Sequence, residues 1–318
     1  MISRKTHNRK KKNASKTRST FKTPSTRASA IRRRRQVPSP HVITKQNPVI
    51  KWGIVVLMII FAFILARSCR SLFSITFDNN LFIKSENPYD WDNLSYDTRG
   101  RAHYIVDGEE LSQTGVDVSS HQGTIDWNAV AQDNVQFAMI RAGYRGSTEG
   151  VIQADTLFET NLLGARNAGL SVGVYFFSQA ITEDEAREEA QFVLQQLKKA
   201  NVNSLELPVA FDLEPSPEHN GRADELSPAE TNAIARAFCN EIQSAGYRVI
   251  VYGNKVDLNR FDLVSLNEPI WLAQYDIQPD ATFNFLIWQY SSHGEVNGID
   301  GTVDLNLNLS KIAINKSK

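Results

Sequence analysis

The sequence predicts an α/β fold in which eight strands close into a barrel whose final third lacks full helices. Three observations support this prediction: eight short apolar runs recur, helix-like stretches separate the early runs, and the last connections are too short for full helices. The predicted strands cover residues 115–119, 137–143, 171–178, 207–214, 248–254, 270–275, 285–290 and 303–307. Together they span about 200 residues, at the low end for a barrel of this type.

The helices predicted between the early strands have recognisable ends. Residues 159–169 show helical spacing with a glycine near the end. Thr182 begins a capping box and a helix that runs to about residue 199. Ser227 begins a second capping box, and Pro228 occupies the first helical position, where proline is favoured. These helices would pack on the outside of the strands.

Charge divides the chain into a basic tail and an acidic body. Residues 1–50 hold 15 Lys and Arg and no Asp or Glu, whereas residues 51–318 hold 20 basic residues and all 35 acids. The tail has few large apolar side chains, so we expect it to be disordered. The run from Arg32 to Arg35 is interpreted either as a topology signal beside a membrane segment or as a site for nucleic acid or anionic lipid. We favour the first interpretation.

A charge-free run from Trp52 to Ala66 follows the tail. Its 15 residues fall short of the ~20 that usually span a bilayer as a helix. Lys51 precedes the run, and Arg67 and Arg70 follow it. Such long basic side chains extend toward the membrane surface, so a short apolar run between them still fits a membrane segment.

Three interpretations of this run compete. A buried core helix would show an amphipathic pattern, which is absent, and a cleaved signal peptide would not place two arginines where cleavage occurs. We therefore predict a transmembrane signal anchor over residues 51–73, with the tail 1–50 in the cytoplasm and the body outside the cell membrane, as a single-pass protein. Residues 74–112 are predicted to be an extracytoplasmic stalk and lead-in with a short strand at 102–106, and residues 113–312 to form the barrel.

Four acids converge under the barrel hypothesis. Residues two apart in a strand share a face, so Asp212 and Glu214 point the same way at the end of the fourth predicted strand. Asp117 lies late in the first strand and Asp304 in the last, and closure of the barrel makes these strands neighbours. Active sites of such barrels lie at the C-terminal ends of the strands. Crowded carboxylates there raise one another's pKa values, as the general acid of a glycosidase requires.

Aromatic residues also lie late in the predicted strands. The candidates are Tyr175, Tyr252, Trp271, Tyr275 and Trp288. Sugar rings stack on aromatic faces, so these side chains suit a saccharide cleft, although aromatic residues in a barrel also form its core. Gln289 has two possible roles, a hydrogen bond to a sugar or closure of the barrel floor.

These segments resemble the family 25 glycoside hydrolases, the lysozyme-type muramidases of bacteria and phages. The resemblance covers about residues 113–309 and rests on the order and spacing of GVDVSSHQGTIDW (115–127), FAMIRAGYRG (137–146), GVYFFS (173–178), VAFDLE (209–214), WLAQY (271–275), WQYSS (288–292) and VDLNL (303–307). It implies a TIM-like (β/α)5β3 barrel that needs no metal or cofactor. It also implies cleavage of the β-1,4 bond between N-acetylmuramic acid and N-acetylglucosamine in peptidoglycan.

The resemblance also implies roles for the four acids. Glu214 resembles the general acid, Asp212 its partner carboxylate, and Asp117 and Asp304 two further acids of the site. We predict net retention, because two acids on one strand face are close together. The nucleophile is either Asp212 or the N-acetyl oxygen of the substrate, with Asp212 orienting it, and we favour the second.

The expected function is peptidoglycan hydrolysis at the outer face of the membrane, in cell-wall remodelling, with glycan strands as the partner. The alternative is a catalytically quiet peptidoglycan-binding scaffold, against which the presence of all four acids speaks. No nucleic-acid partner is expected, because an anchor directly follows the basic tail and the outer body is acidic. The oligomeric state is not readable from the sequence.

Overall fold

The structure, a computed structural model, describes residues 87–216 and 220–315. The predicted tail over residues 1–50 and the predicted anchor over 51–73 lie outside these ranges. Within them, no helix has both the length and the apolar character needed to cross a membrane.

The described residues alternate between short strands and helices. The strands are β1 (Leu94–Tyr96), β2 (Ala102–Val106), β3 (Glu109–Glu110), β4 (Gln113–Val118), β5 (Phe137–Arg145), β6 (Ile152–Ala154), β7 (Ser171–Phe177), β8 (Val209–Asp212), β9 (Val249–Asn254), β10 (Ile270–Ala273), β11 (Ile287–Gly294) and β12 (Val303–Asn308). The helices are α1 (Trp127–Gln132), α2 (Phe158–Asn167), α3 (Glu183–Lys199), α4 (Pro228–Ser244), α5 (Lys255–Leu258), α6 (Leu263–Leu266) and α7 (Ser310–Asn315).

Eight strands close a barrel, as the sequence predicts. Their order is β4-β12-β11-β10-β9-β8-β7-β5, and pairing of β4 with β5 closes the ring. The strands run parallel except β12, which is antiparallel to both of its neighbours, β11 and β4. Each of the first five barrel strands is followed by at least one helix, whereas β10 and β11 are followed by loops in this described region.

Alternation of side chains along the strands separates two apolar layers. One face of each strand fills the barrel interior, where Phe137, Met139 and Trp271 pack together. The other face meets the surrounding helices, as with Phe211, which packs on Phe238 of α4 at 5.0 Å between ring centroids. A Cβ atom on Gly115 would lie 2.3 Å from the Phe137 ring, so only glycine fits there. The interior is therefore packed with side chains rather than open.

Residues 87–112 form a lead-in sheet that covers the barrel wall where helices are missing. Strands β1, β2 and β3 make an antiparallel sheet, and β2 confirms the strand predicted at 102–106. Trp91 lies edge-on to Trp288 of β11, with ring centroids 5.7 Å apart. Trp288 thus faces outward, away from the barrel interior, although its position late in a predicted strand made it a candidate for the cleft.

A cluster around Asp133 fastens the lead-in sheet to the barrel. Arg99 donates two hydrogen bonds to the Asp133 carboxylate, at 2.6 and 3.1 Å, and buried Arg101 forms an ion pair with the same group. The backbone N–H of Asn297, in the loop after β11, donates to Asp133 Oδ2 at 2.9 Å. The part of the predicted stalk that the structure describes is therefore folded against the barrel.

Candidate active site

The end of β8 presents two acids to the mouth of the barrel, the end at which the parallel strands finish. Ala210 lies in the interior layer, and Asp212, two residues later, lies on the same face with 4% of its surface exposed. The side chains of Asp212 and Glu214 are hydrogen-bonded to each other. Ser178 N–H donates to the Asp212 carbonyl at 2.7 Å, and Gln179 Nε2 to the Glu214 carbonyl at 2.7 Å. The two residues that follow β7 thus fix the backbone that carries both acids.

Two more acids meet where the barrel closes. Asp117 of β4 and Asp304 of β12 lie opposite each other in the antiparallel ladder, and their carboxyl groups are hydrogen-bonded to each other. The charge of Asp117 acts on Asp212, and that of Asp304 acts on Glu214. The structure therefore brings together all four acids that the sequence singles out.

Two amide side chains hold Asp117 in place. Gln289 Nε2 donates to Asp117 Oδ1 at 2.8 Å, and Asn306 Nδ2 donates to the same oxygen at 2.6 Å. Because both donors meet a single oxygen, the other oxygen of Asp117 remains for the contact with Asp304. Sequence reasoning missed Asn306, although its position two residues after Asp304 on the same strand face was a usable signal.

The aromatic candidates orient these amides. The hydroxyl groups of Tyr252 and Tyr275 both donate to Gln289 Oε1 at 2.7 Å. Trp271 Nε1 donates to Asn306 Oδ1 at 2.8 Å. With its oxygen committed in this way, each amide has its NH₂ group directed at Asp117. We call these contacts the Asp117 network.

Apart from the outward-facing Trp288, the residues predicted to contact a sugar differ in the exposed fraction of their surface. Trp271 is 1% exposed and Gln289 2% exposed, so both lie within the barrel. Tyr252 is also buried, whereas Tyr275 is 41% exposed at the rim. Tyr175 is half-buried and packs edge-on against Trp271, with ring centroids 6.2 Å apart. Contact of these residues with a sugar stays a prediction.

Burial raises the pKa values of all four acids, and repulsion from neighbouring carboxylates adds to this effect at Asp117, Asp212 and Glu214. Burial, followed by the charge of Asp304, raises the pKa of Asp117 to about 8, although the donors Asn306 and Gln289 lower it. Burial, followed by the charge of Asp257, raises the pKa of Glu214 to about 7. Burial and the charge of Glu214 raise the pKa of Asp212 well above its ordinary value. The site therefore holds protons on carboxyl groups at neutral pH, which suits general acid chemistry.

Asp257 is a further acid near the mouth that no feature of the sequence had indicated. It lies on α5, which directly follows β9, and its side chain is buried. No group of three or more His, Cys, Asp or Glu in residues 87–216 and 220–315 is arranged to hold a metal ion.

Comparisons with known proteins show a family and related sequences for this chain. The family model "Glycosyl hydrolases family 25" matches residues 116–299, more than half of the 318 residues. The autolytic lysozyme of Clostridium acetobutylicum is 30% identical over 197 residues, which cover 60% of this chain and 54% of that protein. Lysozyme M1 of Streptomyces globisporus is 27% identical over 201 residues, covering 60% of this chain and 66% of the relative. The chain thus spans about half the length of the first of these relatives.

Solved structures share the fold. The modular autolysin LytC from Streptococcus pneumoniae, in complex with a synthetic peptidoglycan ligand, superposes with a TM-score of 0.57 at 24% identity, covering 68% of this chain and 52% of that one. The bacterial lysozyme from Streptomyces coelicolor superposes with a TM-score of 0.52 at 25% identity, covering 61% and 90%.

Proposed function

The chain belongs to the glycosyl hydrolases of family 25, and on that basis we propose that it is a muramidase. Its reaction is hydrolysis of the β-1,4 bond between N-acetylmuramic acid and N-acetylglucosamine in peptidoglycan. The observation that carries the proposal is the meeting of Asp117, Asp212, Glu214 and Asp304 at the mouth of the barrel. The names of the related lysozymes support it.

Glu214 is the general acid of this proposal. Its pKa of about 7, raised first by burial, lets it hold a proton at neutral pH. It gives that proton to the glycosidic oxygen as the bond from this oxygen to the sugar's C1 breaks. In the second half of the reaction, the Glu214 carboxylate takes a proton from the attacking water.

Asp212 binds and orients the substrate's N-acetyl group in this proposal. Its Oδ1 atom is buried and accepts no hydrogen bond from an N–H or hydroxyl group of the described residues. An acetamido N–H would satisfy it and would direct the acetyl oxygen at C1. Attack by that oxygen forms a ring, and water then opens the ring with net retention.

Asp117 and Asp304 complete the acidic surface under the sugar. Their hydrogen bond keeps one proton between them. The remaining negative charge of the pair stabilises the positive charge that develops at C1. The Asp117 network keeps this pair rigid, which lowers the cost of reorganisation during the reaction.

The proposed setting is the outer face of the cell membrane. The basic segment 1–50 followed by the apolar run within 51–73 supports a single anchor with a cytoplasmic N-terminus. An anchored muramidase would act on wall within reach of the membrane, in cell-wall remodelling.

Digestion of purified peptidoglycan tests the proposal. The full chain is incubated with peptidoglycan beside Glu214→Gln, and the new reducing ends are identified by mass spectrometry. We expect reducing-end muramic acid from the wild type and none from the variant. Proton NMR of the first product to form gives the stereochemistry, and the β anomer is expected. Wall binding without release by either protein would instead indicate the glycan-binding scaffold.

A further inference from the structure

Asp257 is built into the barrel next to the proposed general acid. It is 3% exposed, and its Cβ atom lies close enough to β9 that a Cβ on Gly253 would be 3.3 Å away. Asn254, the residue before α5, accepts hydrogen bonds from the N–H groups of Val256 and Asp257, at 2.8 and 3.0 Å. Asn254 Nδ2 donates back to Asp257 Oδ2 at 2.5 Å. The side chain therefore has a fixed position.

This environment favours the charged form of Asp257. An N–H donor at a carboxylate stabilises its ionised form. Asp257 therefore has a fixed position and a donor that offsets part of the cost of burying its charge.

The strand register places that charge beside Glu214. Strands β8 and β9 are parallel neighbours, and Asp212 lies opposite Tyr252. Glu214 follows Asp212 by two residues and Asn254 follows Tyr252 by two residues, and Asn254 is hydrogen-bonded to Asp257. The charge of Asp257 acts on both Glu214 and Asp212.

We propose that Asp257 is a positioning residue for catalysis: ionised and held in place by Asn254, it keeps Glu214 protonated until the glycosidic bond is in place. The inference rests on the proposed function, because it gives Glu214 the role of general acid. It goes beyond that function because Asp257 needs no contact with the substrate. Its effect is purely on the proton that Glu214 delivers.

Other titratable side chains also lie around Glu214, and each makes contacts of its own. Asp212 is hydrogen-bonded to it, and Asp304 acts on it from β12. Tyr252 and Tyr275 also face this region, and both hydroxyls are committed to Gln289.

The charged groups around α5 are paired elsewhere. The Lys255 ammonium pairs with Asp280 at 2.8 Å, and Arg260 donates to the Ala223 carbonyl at 2.6 Å. Asp257 is therefore the charge on α5 that bears on Glu214.

Direct titration of Glu214 tests the inference without relying on activity. The full chain is labelled with carbon-13 at the glutamate carboxyl carbons, and the Glu214 resonance is identified by its absence in Glu214→Gln. We expect Asp257→Asn to lower the titration midpoint of Glu214 by about one pH unit, since a neighbouring like charge is removed. An unchanged midpoint would overturn the inference. Asp257→Glu keeps the charge and should keep the wild-type midpoint.

Peptidoglycan digestion across pH gives the second readout. In Asp257→Asn, the decline of kcat/KM at alkaline pH should begin at a lower pH, while kcat/KM at more acidic pH keeps its wild-type value. A merely structural role would instead lower kcat at every pH. Glu109→Gln removes an exposed acid from β3, away from the mouth, and should move nothing. If Asp257→Asn does not fold, Asp257→Ser is expected to give the same shift. A wild type without activity would refute the muramidase proposal, while the carbon-13 titration still decides the role of Asp257.

Discussion

Replacing Asp133 with asparagine tests whether the lead-in sheet is part of the catalytic fold. The carboxylate accepts hydrogen bonds from Arg99, Arg101 and Asn297, and so joins the lead-in sheet to α1 and to the loop after β11. Asparagine keeps the shape of the side chain but removes the charge. Buried Arg101 would then lose the anion with which it is paired.

The size of the effect follows from two estimates. Burial alone would raise the pKa of Asp133, but hydrogen bonds from Arg99, Asn297 and Arg101 outweigh it and hold the pKa at about 2, against an ordinary value of 3.8. A shift of this size corresponds to about 2 kcal/mol before allowance for solvent around Arg99. Loss of one partner from a buried ion pair costs about 3–5 kcal/mol. We therefore expect Asp133→Asn to lower the free energy of unfolding by about 2–4 kcal/mol at pH 7.

Urea unfolding of the full chain at several pH values measures this loss. Because the pKa of Asp133 is lowered by folding, its contribution is complete above about pH 4 and disappears as the pH falls toward about 2. The difference between wild type and variant should shrink over the same window. Glu109→Gln removes an exposed acid from β3 and should change stability by less than about 0.5 kcal/mol. A loss at pH 7 no larger than that of Glu109→Gln would refute the reasoning.

Three further predictions concern the mouth of the barrel and the outer side of its strands. Asn306→Leu removes one of two donors to Asp117, so the pKa of Asp117 should rise further and peptidoglycan digestion should fall by about 100-fold. Wild-type kcat/KM should decline as the pH rises through about 7, where Glu214 loses its proton, and a limb near pH 4.5 would contradict this. Trp91→Ala should lower the free energy of unfolding by about 1–3 kcal/mol in urea titrations, because its partly buried ring packs on Trp288.

The barrel was predictable because each of its strands is a short apolar run, and a run of that kind is visible without tertiary information. Local capping was predictable for the same reason. Ser227 and Glu230 form the complete capping box, whereas Thr182 caps Glu185 N–H and the Glu185 side chain turns to the N–H of Ile181 instead. The competing contact lies outside the capping pattern, so the sequence did not reveal it.

The lead-in sheet and Asp257 were not predictable from local pattern. Strands β1 and β3 have only three and two residues, and the segment before them is held by an aromatic contact between Trp91 and distant Phe285. Asp257 lies in a helix of four residues with no periodic signal. The four acids were predictable because strand parity and barrel closure together fix where a side chain points.

The lead-in sheet also fixes the order in which the chain can fold. Tyr89 donates to the Phe285 carbonyl, 196 residues later, and Asn87 donates to the Ala281 carbonyl, 194 residues later. At ordinary rates of synthesis, the ribosome needs roughly 10–40 s to reach these partners. Until then the distant residues on which Trp91 packs have not been synthesised, and contacts so distant in sequence form slowly. Completion of the outer layer therefore waits for the last strands to be made, although the sheet that completes it emerges before any strand of the barrel.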